Sequence, residues 1–264
     1  LTLKRSKTGQ KILRRAQIKA SHFGQTLVDI ILPGKNSITD TTLVRKFSPE
    51  NPEEIIFESK SKVFIDREHN LENAILDLAH ELIHYIYKKP FNPYQNNFTV
   101  KSFMKSVVEG KGGEVEAYLM ECRVLKELFP RRYLKNENCR MVTNPRTGKL
   151  SKSYGIKAFY QMGDFYGNFI DELQSFSLTK KDFPKLGKGM AHFISSAYGL
   201  PYPLAAIREF STIMTRACAN DSKRLGYMKE SVSREIASEK KLNRQRSFEK
   251  MTVSYRGRCQ LFTK

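Results

Sequence analysis

The clearest pattern of apolar and polar positions lies between residues 70 and 90 and predicts an amphipathic helix. Apolar residues recur there at steps of three and four, from Leu71 to Ile86, which places them on one face of a helix. Asn70 precedes the first of them and suits the N-cap, because its side-chain oxygen can accept a backbone N–H of the first turn. Pro90 lies beyond the pattern, so the predicted helix ends before it.

Other runs of apolar residues predict further helices and a few short strands. A second strong helix is predicted for residues 114–128, after the Gly112-Gly113 pair and before Pro130. Helical patterns downstream cover residues 165–176, 189–198 and 203–217, and β-rich runs cover residues 26–32, 54–58 and 62–66, the last two as a hairpin or adjacent strands. Irregular structure is predicted for residues 90–105 and 131–152, and a charged helix or a mobile tail for residues 231–250.

Together these elements predict an α+β fold that is predominantly helical. Residues 21–220 are predicted to form a single domain. Residues 1–20 hold seven Lys or Arg and are predicted to form a basic helix or arm, and residues 221–264 a basic C-terminal extension. Because 17 Phe and 12 Tyr require a core, the composition excludes a disordered polyelectrolyte.

The chain is strongly basic, with 46 Lys and Arg against 27 Asp and Glu and a formal net charge of +19. Such a charge favours an anionic surface as a partner, whether glycan, lipid or nucleic acid, and it also favours solubility alone. No apolar run approaches the roughly 20 residues that a transmembrane helix needs. The sequence therefore predicts no transmembrane segment, and charge alone does not name the partner.

Four cysteines, at positions 122, 139, 218 and 259, show no CxxC spacing and do not indicate a cysteine zinc site. They permit three disulfide pairings, of which the sequence-local one joins Cys122 to Cys139 and Cys218 to Cys259. The alternative is four reduced thiols. The even cysteine count, and a first residue that is Leu1 rather than Met, favour an exported protein, periplasmic or secreted, with a cytoplasmic protein as the alternative.

The string His80-Glu81-Leu82-Ile83-His84 lies inside the first predicted helix and matches the pattern HExxH. Residues four apart in a helix differ by about 40° around its axis, so the two imidazoles can bind one cation from the same side. Glu81 lies about 100° further round, where a carboxylate can act as the general base for a metal-bound water. Chance alone would produce this string in about one chain in 150 of this composition.

A catalytic zinc needs a third protein ligand, and the sequence offers Glu114 as the best candidate. Residues 87–90 contain no third histidine close behind the motif. Glu114 follows His84 by 30 residues and begins the second predicted helix, directly after two glycines that allow close approach of the backbones. Nearby alternatives are Glu109, Glu116 and Glu121, of which Glu121 shares the helical face of Glu114.

Over residues 54–125 the sequence resembles the gluzincins, zinc metallopeptidases with HExxH on one helix and a glutamate ligand on a following helix. The resemblance rests on His80, Glu81, His84 and the Glu-x-x-Ala string that starts at Glu114. It implies a zincin-like fold, in which a small mixed β-sheet packs on the HExxH helix and the C-terminal part is helical. It also implies an edge strand that binds an extended substrate, and residues 62–66 are the predicted edge.

The resemblance further implies a zinc-dependent peptidase with one Zn²⁺ per chain and a protein or peptide substrate. His80, His84 and Glu114 would hold the zinc, and Glu81 would take the proton of the water and pass it to the leaving amine. Asp77 is a candidate acceptor for an imidazole N–H or an ordinary solvated carboxylate. The donor to the oxyanion stays open among four downstream side chains: Tyr154, His192, Tyr198 and Tyr202.

The alternative hypothesis is a nucleic-acid-associated basic protein that uses a zincin scaffold, either as a tethered protease or as an inactive one. The net charge of +19 favours it. The absence of a cysteine-rich zinc module and of a helix-turn-helix pattern weakens it, and the presence of Glu81 favours the peptidase, since a structural zinc site needs no general base.

Overall fold

The computed structural model describes residues 2–95, 98–183, 190–234 and 239–262. The α-helices are α1 (Lys7–Ser21), α2 (Leu27–Ile30), α3 (Leu71–Tyr87), α4 (Val100–Glu109), α5 (Glu114–Leu128), α6 (Pro130–Lys135), α7 (Glu137–Met141), α8 (Lys152–Phe159), α9 (Phe165–Asn168), α10 (Ile170–Ser175), α11 (Tyr202–Arg234) and α12 (Glu239–Cys259). The strands are β1 (Ile31–Gly34), β2 (Ile38–Lys46), β3 (Ile56–Asp66), β4 (Ile194–Ser195) and β5 (Leu200–Pro201). The fold is α+β and predominantly helical, as predicted.

The described chain groups into two compact units. The first consists of Leu1–Thr41, Ser61–Lys89 and Val100–Ile207, and it contains both the helix of the basic N-terminal stretch and the HExxH helix. The second consists of Thr42–Lys60, Pro90–Thr99 and Arg208–Lys264. Among the described helices, none is both long and apolar enough to cross a bilayer.

Helix α3 forms where the apolar pattern predicts it. Asn70 is its N-cap and accepts the backbone N–H of Asn73 at 3.0 Å. Ala79 and Leu82 are fully buried, and Tyr85 is almost so, because the apolar stripe packs against α1 and α5. The core of the first unit thus holds the HExxH helix firmly, and Glu81 and His84 of this helix are buried as well.

Helix α5 has the predicted bounds and is tied to the chain behind it by a disulfide. Cys122 of α5 is bonded to Cys139, and in the second unit Cys218 is bonded to Cys259. This confirms the sequence-local pairing among the three that four cysteines allow. The first bridge joins the segment after α5 to the helix that carries Glu114. It stabilises this region because it limits the conformational freedom of the unfolded chain.

The three-stranded sheet has the order β1-β3-β2, so β3 is its central strand. Strand β1 is parallel to β3, with Ile31 opposite Val63. The prediction that residues 62–66 form the edge of the sheet is therefore wrong, since β1 pairs with them. The prediction of a hairpin or two adjacent strands at 54–58 and 62–66 is also wrong: β3 runs without a break from Ile56 to Asp66, where no Gly or Pro interrupts it, and residues 54 and 55 precede it.

Strand β2 is an edge of this sheet and was not predicted from its sequence. Its side chains contact β3 in reversed order, with Thr41 Oγ1 3.1 Å from Ser61 Oγ, while Ser37, just before β2, accepts the N–H of Asp66 at 3.1 Å. Partner numbers fall as β2 numbers rise, so the two strands are antiparallel. A polar run at residues 39–42 separates the apolar residues of β2, so its sequence shows no strong apolar pattern.

The predicted strand at 26–32 is wrong for its first half, which is the helical turn α2. Thr26 is the N-cap of that turn, and Asp29 accepts hydrogen bonds at 2.8 Å from both the backbone N–H and the hydroxyl of Thr26. This capping arrangement satisfies backbone donors locally and outweighs the β propensity of the apolar residues. The strand begins only at Ile31.

The predicted helix at 189–198 is also wrong over its described part, and residue 189 lies outside the described residues. Strands β4 and β5 form a small antiparallel hairpin there instead. Gly199 adopts a φ of +62°, and its N–H donates to the carbonyl of Ser195 at 2.8 Å. A left-handed glycine closes this turn at low cost, and the turn leads directly into α11.

Remaining differences concern the extent of helices. Helix α4 starts inside the stretch predicted to be irregular, as do α6 and α7 after α5. The pattern at 165–176 forms the two short helices α9 and α10, and α11 extends well beyond residue 217. At the basic end, the end of α11 and most of α12 cover the described part of 231–250, which favours the charged helix over the mobile tail there.

The second unit is organised around a buried carboxylate. Asp221 of α11 is 1% exposed and forms ion pairs with Arg45 and Arg258. The guanidinium of Arg45 also lies 3.9 Å from the ring centroid of Tyr94, and Arg258 donates to the carbonyl of Tyr94 at 3.0 Å. Two cations on one buried anion explain how this unit accommodates charge in its interior.

Candidate metal centre

Helix α3 presents both histidines of the HExxH string on one side. Their ring centroids are 4.9 Å apart, as expected for residues separated by one helical turn. One ligand atom from each of His80, Glu81 and His84 lies within 4.8 Å of the others. The motif therefore folds into a cluster of donors.

Glu114 bridges the two imidazoles. Its Oε2 lies 3.4 Å from Nε2 of His80, and its Oε1 lies 3.5 Å from Nε2 of His84. Two ligands of a tetrahedral zinc with bonds of about 2.0–2.1 Å are about 3.3 Å apart. Each of these two contacts has about the separation of two ligands on one zinc, and imidazole and carboxylate are groups that zinc binds, so the residues fit the metal that the resemblance implies.

The far nitrogen of each imidazole is held by a hydrogen bond. Nδ1 of His80 lies 3.0 Å from Oε2 of Glu121, and Nδ1 of His84 lies 2.8 Å from the carbonyl oxygen of Gly112. A carbonyl only accepts, so His84 donates from Nδ1, and its Nε2 faces Glu114. Metal-binding histidines are typically oriented in this way by a carboxylate or a carbonyl.

Charges in the cluster shift two pKa values in opposite directions. Burial lowers the pKa of His80, but hydrogen bonds to Glu114 and Glu121 raise it by more than burial lowers it. The pKa of His80 therefore lies well above its ordinary value. Burial raises the pKa of Glu114, but the two imidazoles lower it more, so that this carboxyl lies well below its ordinary range. Glu114 is therefore ionised, as a metal ligand must be.

Gly112 is the residue that lets α5 approach α3 so closely. It has a φ of +70°, and a Cβ built there would lie 2.5 Å from Cβ of Tyr87 and 3.0 Å from the backbone nitrogen of Lys88. Only glycine meets both conditions without moving the chain. The expected close approach of the backbones at Gly112-Gly113 is confirmed, and it brings the Gly112 carbonyl to His84.

We expect Gly112→Ala to weaken zinc binding by about 10- to 100-fold, since a displaced carbonyl no longer orients His84. Gly148→Ala is the matched control, because Gly148 has a similar φ of +64° and no atom within 4 Å of its built Cβ. Both variants pay the cost of a left-handed alanine, about 1–2 kcal/mol, but only Gly112→Ala should lose zinc affinity. Competition with a chromogenic chelator measures this, and equal zinc affinity in the two variants would contradict it.

Glu81 is positioned by a threonine of the sheet. Thr39 of β2 is buried, and its Oγ1 lies 2.7 Å from Oε2 of Glu81 and 2.8 Å from the Glu81 carbonyl. A threonine hydroxyl hydrogen bond to one carboxylate oxygen leaves the other oxygen of Glu81 for a further partner. Glu81 is only 7% exposed, so its carboxylate is shielded from bulk water while it faces the histidines.

A cavity of about 350 Å³ opens beside His80 and Glu81. One wall is aromatic: the rings of Phe159 and Phe193 stack at 4.1 Å, and Tyr202 lies 5.1 Å from Phe159. Burial raises the pKa of Tyr202 well above its ordinary value, and the carboxylates of the cluster raise it further, so its hydroxyl is a proton donor. The cavity gives the cluster an open side with space for a substrate.

The structure separates the four candidate donors to the oxyanion. Tyr202 and His192 line the cavity, and the Glu114 carboxylate helps to raise the pKa of Tyr202. Tyr154 and Tyr198 are absent from the described residues that line it. Tyr202 and His192 are thus the two candidates that the structure places at the cavity.

The other acidic residues considered from the sequence have different partners. Glu109 accepts from the Tyr160 hydroxyl at 3.3 Å, and Glu116 accepts from the Gly112 N–H at 2.9 Å and from Lys152 at 2.7 Å. Asp77 does accept from an imidazole, but from His69, with Oδ2 3.0 Å from Nδ1. Glu121 instead occupies the place behind His80 that Asp77 was a candidate for.

Sequence reasoning missed the functional contacts of Thr39 and of the Gly112 carbonyl, and it considered Glu121 only as an alternative ligand. The spacing of Glu114 and Glu121, two helical turns apart, is a signal for two carboxylates on one side of α5. Thr39 carries no such signal, because its partner is 42 residues away.

Protein-family models, curated proteins and solved structures were compared with the chain, and none matches it.

Proposed function

We propose that this protein is a zinc-dependent peptidase of gluzincin type, with one zinc ion held by His80, His84 and Glu114. The observation that carries the proposal is the arrangement of the two imidazoles. Both Nε2 atoms lie within 3.5 Å of the Glu114 carboxylate, and both Nδ1 atoms are tied behind by Glu121 and Gly112. Surface histidines that meet by chance have no reason to be oriented on both nitrogens.

The proposed chemistry divides between the metal and the chain. Zinc in such a site supplies the Lewis acidity that activates a water and polarises a carbonyl. Glu81 would accept a proton from a water molecule and pass it to the leaving amine. Thr39 holds one oxygen of Glu81, which fixes the direction of the carboxylate. Tyr202 and His192 are the candidates to donate to the developing oxyanion, because both line the cavity.

The proposed substrate is an extended segment of protein or peptide. Strand β2 is an edge strand of the sheet and carries Thr39, whose hydroxyl contacts the proposed general base. An extended peptide that adds to such an edge gains main-chain hydrogen bonds and needs little sequence specificity. This replaces residues 62–66 as the proposed substrate-binding edge. The helices, the small sheet and the two-helix ligand set support a zincin-like fold.

We further infer that the protein works in an oxidising compartment, periplasmic or extracellular. Both disulfides are formed, and no free cysteine lies among the described residues. Disulfides persist in exported proteins and are rare in reducing cytosol, which supports export over a cytoplasmic location. A count of four free thiols in protein purified from its native compartment would contradict this inference.

Hydrolysis of a peptide library before and after metal removal tests the proposed function. The zinc-loaded protein should cleave a subset of peptides, and the cleavage should stop after dialysis against a chelator and return with one equivalent of zinc. Circular dichroism after dialysis serves as the control that the fold persists. No cleavage of any peptide by protein that holds one zinc per chain would contradict the proposal.

A further inference from the structure

A second concave site lies in the first unit, between α1, α3 and α5, and has a volume of about 680 Å³. We call it the cationic groove. Its floor is apolar and comes from all three helices, with Ile12, Ile83 and Leu119 buried and with Ile86 and Met120 half-buried. Contact between apolar side chains and water is unfavourable, so a ligand that covers the floor of the groove is stabilised by the apolar surface it removes from water.

The rim of the cationic groove carries five positive side chains and a single carboxylate. The cations are Lys11, Arg15, Lys111, Arg123 and Lys152, and the carboxylate is Glu116. Lys152 pairs with Glu116 at 2.7 Å, so the one anion of the lining is already engaged. The groove therefore carries its own local excess of positive charge, with five cations against one carboxylate.

Four of the rim cations have no carboxylate partner within 4 Å among the described residues. Arg15 donates to the hydroxyl of Tyr87, and Lys111 lies 4.9 Å from the centroid of that ring. Lys11 and Arg123 are exposed, and in the described part of the chain neither contacts the Tyr87 side chain in these ways. Unpaired cations around an apolar floor attract an anionic ligand, because the low-dielectric floor weakens the screening of their charge.

The positive charge is spread along the groove. Lys11 and Arg15 lie one helical turn apart on α1, whereas Lys111 and Arg123 come from the loop before α5 and from α5 itself. The lining of α1, from Thr8 to Arg15, spans about 10 Å at 1.5 Å per residue, which is two turns of helix. A lipid carries its charge at one end and would engage only part of this rim.

We propose that the cationic groove binds an acidic amphipathic helix of a partner protein. Such a helix would lay an apolar stripe of residues spaced by three and four on the floor and would direct Asp and Glu on both sides of the stripe to the cations. This is the helix-in-groove mode of recognition, with charge complementarity selecting an acidic ligand. The site is independent of the metal centre and of the proposed peptidase activity.

A pair of synthetic peptides tests this proposal. The probe is a fluorescent helical peptide of about four turns with leucines at steps of three and four and glutamates on both flanks, and its partner has the same composition in scrambled order. Fluorescence anisotropy should show binding of the first peptide to the full chain, weaker at high salt, and binding of the scrambled peptide at least about tenfold weaker.

Charge reversal separates the groove from the bulk charge of the protein. Lys11→Glu combined with Arg123→Glu should weaken binding of the first peptide at least about tenfold. Lys105→Glu combined with Lys157→Glu is the matched control, since both lysines are exposed, lie in the first unit and do not line the groove. The control should change binding less than about twofold. Circular dichroism verifies that both double variants fold.

Three outcomes would overturn the proposal. The first is no binding of the acidic helical peptide to the wild-type chain. The second is equal weakening in the two double variants, which would assign the binding to net charge. The third is a preference for vesicles of anionic phospholipid over the peptide, lost on reversal of Lys11 and Arg123, which would assign the groove to a lipid.

Discussion

Glu81→Gln should abolish peptide hydrolysis and leave the zinc content at about one ion per chain. Glutamine has the shape of glutamate and can still accept the hydrogen bond of Thr39, but it cannot take a proton from water. General-base catalysis contributes about 10²- to 10⁴-fold to a rate, so kcat should fall by at least about 100-fold. Cleavage of the best library peptide, with metal analysis of the same samples, measures both quantities.

The zinc measurement also distinguishes two roles for Glu81. Its carboxylate lies within 4.8 Å of donor nitrogens of both histidines, so the distances alone also admit a ligand role. Zinc retained with activity lost assigns Glu81 as the base, and zinc lost with activity assigns it as a ligand. Glu72→Gln is the control, because Glu72 lies on the same helix, half exposed and paired with Arg132. Full activity of Glu81→Gln would end the proposed base role.

Glu114→Ala should lower the affinity for zinc by more than about 100-fold, because loss of a ligand costs more than loss of a group that orients one. The variant keeps both imidazoles and their hydrogen bonds to Glu121 and Gly112, so the effect reports the carboxylate itself. Peptide hydrolysis should be lost at zinc concentrations that saturate the wild type. Zinc affinity follows from competition with a chelator of known strength.

Glu109→Ala is the matched control for this loss of a carboxylate. Glu109 is the last residue of α4, ahead of α5, and accepts from the Tyr160 hydroxyl, so its removal should leave zinc bound. Unchanged zinc affinity in Glu114→Ala would move the third ligand to another carboxylate. Glu121 would then be the next candidate, since it already lies 3.0 Å from His80.

Much of the candidate site could be predicted because its parts lie within single helices. The spacing of His80 and His84 fixes their relative direction once the chain is helical, and the apolar stripe of α3 makes the helix plain. The same reasoning selected Glu114, at the start of a helix preceded by two glycines. The bounds of α5 and the pairing of the cysteines are confirmed by the structure as well.

The errors arose where local propensity competes with other contacts. Residues 26–30 are apolar and β-branched, yet a capping box at Thr26 turns them into a helix. Residues 62–66 carry a strand pattern, but the sequence does not say which neighbours that strand acquires. Pairing with β1 makes it central, and the edge strand that contacts Glu81 is β2, whose polar run at residues 39–42 leaves little apolar signal.

The sequence by itself determined the HExxH helix, the helix that begins at Glu114 and the strongly basic character of the chain. Helical periodicity fixes angles within one segment, so these features need no knowledge of the rest of the molecule. Only the tertiary structure decided which carboxylate bridges the imidazoles, which one lies behind His80, and that Thr39 reaches Glu81. Those contacts depend on the distance and angle at which separate elements pack, and these follow from core packing and from the space that Gly112 leaves open.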